Sequence, residues 1–564
     1  MTRPLGALDD ALVRLAAPLP AWSVPVPADV AAALDALDWR AKPAEVACLA
    51  GVFVAVAVAA LPLVVLAPLA GLLVVAYAVA AAAAVVHAPT LALAVHESRL
   101  AGAGPGFVAR LAIRVRLEPA PESAERFAAR TGDGPLADAL GRRVRECAGR
   151  PESALDAVTD DLPTPGLRRA VALVLAAVET PAADRGRVLD RALDAAQDAT
   201  ERHVRVGTRA VRGPVNAVYA FGVVLPLALV GLVPVAPAAG VALPLGVVAV
   251  VYDAVLPLAL VAAGAWVLAH RPAVFPAGRA DRAAGAGRDG RRAALAGTAT
   301  AALAGAGCLV LGVHWAAVVS TPCVGVGVTL SVAAGPAVAL DERVAALEAG
   351  IPDATAIVGR RLAAGDPPET AVAAVGETLG GPTGDLFAAA DRTRSALGRP
   401  LHAAFFGEHG VLGPEHGTRV RGSVRLLLAA ATGGTAGGRV LAEVADGLDG
   451  VRTLESAARA DLADLADTLA RTGGLFAPIV AGVTVSLAGH VGALGSGVAS
   501  GLPTAALGVV VGGYVAWSAV VLSALAVCLD RGIRPALLVE RVGVALATAG
   551  ACYAGAAAAT GLVL

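Results

Sequence analysis

Four groups of side chains in this sequence have types and spacings that invite a chemical reading. His402, His409 and His416 recur every seven residues, which on an unbroken helix would set out a stripe of metal ligands. Gly407, Gly410, Gly413 and Pro414 interrupt the stretch, so it reads as a loop carrying exposed histidines. A hydrolase or prenyl transferase at a membrane face would need clustered carboxylates or a ligand set. Here His96-Glu97 lacks the second histidine of a zinc-binding helix, and Asp160-Asp161 is a lone pair in a proline-rich turn. Asp253 sits in an otherwise uncharged run, where a carboxylate is costly and often marks an ion path. Pro244 and Gly246 keep the preceding turn open, which places Asp253 near the outer interface and favours a structural role. The fourth group is a repeated arginine pair, Arg142-Arg143 and Arg360-Arg361, which is either a solvated helix face or a set of docking charges for a partner.

Nucleotide chemistry is excluded by composition. The only lysine is Lys42, preceded by Ala41, so a phosphate-binding Gly-Lys-Ser/Thr loop does not exist. Any energy drawn from nucleotide must be released by another subunit. The six cysteines are scattered, mostly in apolar runs and without a Cys-x-x-Cys pair, and read as small buried hydrophobes. A net charge of -1 argues against a nucleic-acid partner. We expect no catalytic residue, no cofactor and no metal.

The elements that must position these groups are mostly apolar. Hydrophobic residues make up 57% of the chain and mean hydropathy is +0.70, more than one soluble core requires, and the apolar residues gather in long charge-free blocks. The segmentation that follows is an N-terminal segment (1–45) with a surface helix near Trp39, then an apolar hairpin (46–95) turning near Ala67-Pro68. A charged island (96–213) leads to a second hairpin (214–269) and a basic loop (270–292). A third hairpin (293–340), turning between His314 and Pro322, delivers a second island (341–471). A fourth hairpin (472–529), a short basic link (530–541) and a last span (542–564) complete the chain. With the N-terminus inside, this gives nine spans and puts every Lys and Arg on the cytoplasmic side; the loop 270–292, holding six arginines against two aspartates, is the strongest orientation signal.

In the second island, Leu441, Val444, Leu448, Val451, Ala458, Leu462, Leu465 and Leu469 recur at helical spacing over 439–471. We expect a long amphipathic helix bundled with helices at 354–363 and 369–379, then a hinge at Gly473-Gly474. Asp366-Pro367-Pro368-Glu369 reads as a helix start with an Asp cap and a capping-box Glu. The islands also resemble each other. Gly359-Arg360-Arg361, Ala364-Gly365 and Pro368-Glu369-Thr370-Ala371 answer to Gly141-Arg142-Arg143, Ala148-Gly149 and Pro151-Glu152-Ser153-Ala154, an internal repeat. The fold class expected is all-α: a polytopic membrane protein with about nine transmembrane helices and two repeated cytoplasmic helical bundles.

On these motifs, with Tyr252-Asp253, Leu256-Pro257-Leu258, Arg271-Pro272, Phe275-Pro276 and the run Leu347 to Pro352, the chain from about residue 97 onward resembles the type II secretion system F-domain family. Its long archaeal members serve as membrane platforms for type IV pili and the archaellum. The resemblance implies a non-enzymatic protein of the cell membrane that engages a cytoplasmic hexameric secretion ATPase and moves pilin-like subunits in the lipid bilayer. It leaves a homo-oligomer open. Arg142, Arg143, Arg360 and Arg361 are then the candidate partner contacts. The rival expectation is a polytopic transporter or permease component, for which only Asp253 speaks.

Overall fold

The computed structural model describes residues 3–17, 27–132, 135–147, 153–160, 162, 164–232, 244–271, 286–494 and 504–563, and these are helical throughout apart from short connections. Helices α1 (Arg3–Ala16) and α2 (Ala28–Ala36) precede α3 (Pro43–Ala59) and α4 (Leu61–Leu66). The first island comprises the lower part of α5 (Pro68–Leu117), then α6 (Pro121–Thr131), α7 (Pro135–Glu146), α8 (Ala154–Asp160), α9 (Pro165–Glu179) and α10 (Ala182–Tyr219). A π turn, π1 (Ala220–Val224), leads into α11 (Leu225–Leu232); α12 (Leu245–Val250) passes through π2 (Val251–Val255) into α13 (Leu256–His270). Helix α14 (Ala286–Val310) pairs with α15 (His314–Ala363), which enters the second island: α16 (Pro368–Thr378), α17 (Gly381–Leu397), α18 (Leu401–Phe406), α19 (Thr418–Ala431) and α20 (Gly434–Arg471). A third π turn, π3 (Thr472–Phe476), opens α21 (Ala477–Leu494), followed by α22 (Thr504–Arg531) and α23 (Pro535–Val563).

Among the described residues nine helical segments are long and apolar enough to cross a membrane, as the charge-free blocks require, and the chain reads as a multi-pass membrane protein. The first hairpin turns at Ala67, whose extended backbone (φ -142°, ψ 80°) breaks the helix just before Pro68. The third turns earlier than expected. Leu311, Gly312 and Val313 make the connection, Gly312 adopting φ +75°, and the stretch from His314 to Pro322 is already α15. Pro322 is tolerated inside the helix because only one ladder bond is lost to it. The last span likewise begins at Pro535 rather than Val542, after a three-residue connection that includes Gly532 at φ +82°. The outer turns expected at 234–240 and 489–503 lie, wholly or for the most part, outside the described residues, as do residues 272–285 of the basic loop.

Small residues set how closely the apolar helices approach. A Cβ on Gly327 of α15 would lie 2.5 Å from the Gly543 carbonyl oxygen and 2.5 Å from the Ala547 nitrogen of α23. One on Gly550 would lie 2.9 Å from Cys323 Cβ, so the two helices cross with backbones nearly touching. Each island has its own core. The first gathers Leu111, Ala128, Leu140, Leu155, Val171 and Leu189; the second gathers Leu362, Val375, Phe387, Phe405, Leu427 and Leu441. Glu125 is buried in the first without being orphaned: its Oε1 accepts from Ser153 Oγ (2.7 Å) and from the Leu155 amide (3.0 Å), capping the start of α8.

Trp39, expected on a surface helix, lies beyond the end of α2 and is buried with Leu12, Leu34, Leu37 and Ala92 against α3 and α5. Helix α16 starts at Pro368 with Pro367 in the cap position and no side-chain cap bond; Asp366 instead pairs with Arg361 at 3.3 Å. Helix α20 packs on α15 and α19, whereas α16 packs on α15 and α17. Among the apolar residues assigned to the α20 stripe, the side chains of Val444, Leu448, Val451 and Ala458 lie outside the described ones.

Candidate coupling site

Helices cross the island borders without a break. Helix α5 passes from the apolar block into the first island and α10 carries the chain out through Gly213-Pro214 as one helix. Helix α15 does the same for the second island, and α20 runs directly into π3, so Gly473-Gly474 is a π turn inside a continuous helix rather than an open hinge. A helix of 50 residues such as α15 is a rod of about 75 Å, and about 30 Å of it suffices to cross the hydrocarbon layer.

The islands touch each other. Ile113 of α5 packs with Leu426 of α19 and Val440 of α20, flanked by Ala109 and Phe127, and α10 lies along α20. Charged bundles that pack together stand on one side of any membrane that the apolar helices cross.

All three π turns among the described residues bear on α22 or its immediate neighbours. Each ends in a backbone bond of π type, Leu225 N–H to Ala220 O, Leu256 N–H to Val251 O, and Ala477 N–H to Thr472 O, and each is followed one residue later by a proline: Pro226, Pro257 and Pro478. Proline brings no N–H, so the carbonyl four residues before it loses its helical donor. For Pro226 that carbonyl is Gly222, and the buried hydroxyl of Tyr514 on α22 donates to it. For Pro257 it is Asp253, and Tyr77 of α5 donates to it at 2.6 Å. Tyr252, on π2, donates to Pro226 O at 2.6 Å and meets the Tyr514 ring edge to face, with centroids 5.5 Å apart. π3 approaches α22 closely: a Cβ on Gly473 would lie 3.1 Å from Leu522 Cβ and 3.3 Å from the Ser518 carbonyl oxygen.

At the other end of α13 lies Arg271, buried to 6% exposure. Its carbonyl accepts the Ser98 hydroxyl of α5 at 3.3 Å, and Ser98 Oγ is 3.1 Å from His203 Nε2 of α10. A hydroxyl has one proton, so with that proton given to Arg271 the imidazole donates from Nε2. The guanidinium lies within electrostatic reach of Cys528 and Asp530 on α22 and of Arg459 on α20. Burial pushes it down to about 10, with Cys528 and Asp530 opposing and Arg459 adding to the shift, which leaves it a cation at neutral pH. Both islands and the apolar helices therefore meet around one buried charge.

The four arginines singled out in the sequence are all exposed, but they are not brought together. Arg142 and Arg143 lie on α7, with Arg143 beside Glu146 at 3.3 Å; Arg360 and Arg361 lie in the last turn of α15. Those are different elements at different places in the island, which removes the pairing of Gly141-Arg142-Arg143 with Gly359-Arg360-Arg361. Residues 148–152 of that alignment lie outside the described ones. His402 stacks obliquely on Phe406 in α18, and His416 accepts the Gly413 amide at 3.2 Å in a short 3-10 turn, so the histidine series is split over separate elements. Asp253 lies two helical turns in from the start of α12, with a Cβ on Gly513 of α22 placed 2.9 Å from its Oδ1. The tyrosine contacts and the contact between islands were not found from sequence; prolines inside apolar runs were the available signal for the former.

No protein-family model matches the chain, and no curated protein and no solved structure matches it.

Proposed function

We propose that this chain is a membrane platform that couples a cytoplasmic secretion ATPase to the movement of pilin-like subunits, in the manner of the type II secretion system F-domain family. One observation carries the reading. Each island is entered by a 50-residue helix, continues with an 11-residue helix that begins Pro-Glu-Ser/Thr-Ala (Pro121 to Ala124, Pro368 to Ala371), and is left by a 38-residue helix ending in a π turn. Lengths and order this similar support a duplication, in a register other than the arginine pairs suggested. Arg114 and Arg116 then correspond to the neighbourhood of Arg360 and Arg361.

A duplicated pair of charged bundles, each continuous with two apolar helices, suits a part that is pushed from outside the bilayer and shifts helices within it. The permease alternative needs a polar path. The cavity of about 410 Å³ beside π1 is apolar, lined among others by Pro214, Phe221, Leu256, Ala259, Ala263 and Trp266, and favours contact with lipid or apolar helices over passage of a polar solute. The test is co-purification with the secretion ATPase encoded by the same organism. Replacing Arg142, Arg143, Arg360 and Arg361 by Glu is expected to reduce recovered ATPase by about tenfold, the effect of losing ~1.4 kcal/mol of charge complementarity. Undiminished recovery removes these arginines from the contact, and absence of any ATPase with the unaltered protein removes the platform reading.

A further inference from the structure

Tyrosine is scarce in this chain, five residues in 564, yet four of the five donate their hydroxyl to a main-chain carbonyl within the apolar bundle: Tyr77 to Asp253, Tyr252 to Pro226, Tyr514 to Gly222 and Tyr553 to Gly508. Two of those acceptors, Gly222 and Asp253, are the carbonyls that Pro226 and Pro257 deprive of a helical donor. In a bilayer an orphaned carbonyl finds no water, so a helix carrying such a proline must either draw in a donor from a neighbour or change its path. In π1 and π2 the donor comes from a separate helix, and the bond therefore fixes where the turn sits relative to that helix.

From this we infer that Tyr514 and Tyr77 are positioning residues that lock π1 and π2 to α22 and α5, so that the direction in which α10 leaves the first island is set by the Tyr514–Gly222 bond. Helix α22 bears on both exits. Tyr514 holds π1, while Ser518 and Leu522, one and two turns further along the same face, meet Gly473 of π3. The exits are held differently: the first through two hydroxyl-to-carbonyl bonds, Tyr514 to Gly222 and Tyr252 to Pro226, with Leu260 packed on Gly222, the second through close packing of Gly473 on Leu522 and Ser518. A displacement of either island would be felt at the other through this one face. The inference deepens the platform reading, yet it concerns geometry that the chain has whatever its partner.

A proline-for-alanine exchange tests it. In Pro226→Ala the new amide can donate to Gly222 O and makes the Tyr514 hydroxyl redundant. Spin labels are placed at Arg209 on α10 and Ala457 on α20, both exposed, in the full-length protein with its six cysteines replaced, reconstituted in nanodiscs. Tyr514→Phe is expected to lose the single narrow distance peak of the parent, and adding Pro226→Ala is expected to restore it. A purely packing role for the ring would leave Tyr514→Phe silent, because the ring is kept. A peak unchanged by Tyr514→Phe, or one lost equally with and without Pro226→Ala, overturns the inference. Should Pro226→Ala fail to fold, Tyr77→Phe with Pro257→Ala asks the same question at π2, read with labels at Arg209 and an exposed site on α13, and the same two outcomes decide it. Because the readout is a distance, it stands or falls independently of whether an ATPase binds.

Discussion

At the scale of the single residue, glycines without a Cβ decide how closely helices approach. In the second island a Cβ on Gly438 of α20 would sit 2.4 Å from the Ala363 nitrogen of α15, and one on Gly359 would sit 2.7 Å from the Ala442 nitrogen, so backbone rather than a movable side chain blocks the space. Gly438→Ala is expected to destabilise the island by ~1–3 kcal/mol through overpacking, seen as a lower midpoint of thermal unfolding in detergent. Gly335, further up α15, has nothing within 4 Å of its Cβ position, and there the helix gains from losing glycine's freedom. Gly335→Ala should be neutral or stabilising by up to about 1 kcal/mol. Equal effects at the two sites would mean that glycine acts here through propensity alone. Glu125 carries the same lesson in polar form: a buried carboxylate is tolerated because its oxygen has two donors, and neither Ser153 nor the Leu155 amide is adjacent to it in the sequence.

At the scale of the element, the reading of α15 is open to direct test. The apolar block 293–340 announced two helices, but its polar and proline residues, His314 to Pro322, pointed to a turn in the wrong place. Proline within an apolar run breaks a helix in water, whereas in this bundle Pro322 and Pro336 both lie inside α15. The turn is made where Gly312 can adopt a left-handed backbone. In a cysteine-free background, a thiol at Gly312 is expected to react with a membrane-impermeant maleimide added from outside, and one at Ser320 to resist it. Reactivity of both would restore the turn to 314–322. This error shows what was legible and what was not. Charge-free blocks gave the number of spanning helices, and apolar periodicity marked a helix over 439–471 where α20 runs Gly434–Arg471. Both are local properties of the sequence. The cap at Asp366 and the burial of Trp39 depend on which helix lies alongside, and short motifs such as Gly-Arg-Arg recur by composition in a chain this rich in Ala, Gly and Arg. Arg271 stood in the sequence as one arginine of a basic loop; only the fold puts Ser98, His203, Asp530 and Arg459 around it.

At the scale of the whole molecule, the arrangement rests on the two islands standing together, where α10 lies along α20 and a small apolar seam joins α5 to α19 and α20. Ile113, Leu426 and Val440 are each nearly fully buried, but with Ala109 and Phe127 they form a cluster far smaller than either island core. Burying three aliphatic side chains of this size contributes roughly 5–8 kcal/mol at most before the ordering cost is subtracted. That is enough to hold two bundles already tethered to the same membrane helices, and little enough for the contact to open under load. Cysteines introduced at Ile113 and Val440, with the native six removed, are therefore expected to cross-link through a short bis-maleimide in intact membranes. The yield should fall when Leu426 is replaced by Asp, because a carboxylate in this apolar seam must be hydrated. Tags in the two islands should at the same time report the same face of the membrane. Cross-linking that survives Leu426→Asp would mean that the α10–α20 contact and the spans hold the islands in place without this seam, whereas tags on opposite faces would separate bundles that pack against each other and so refute the arrangement as a whole.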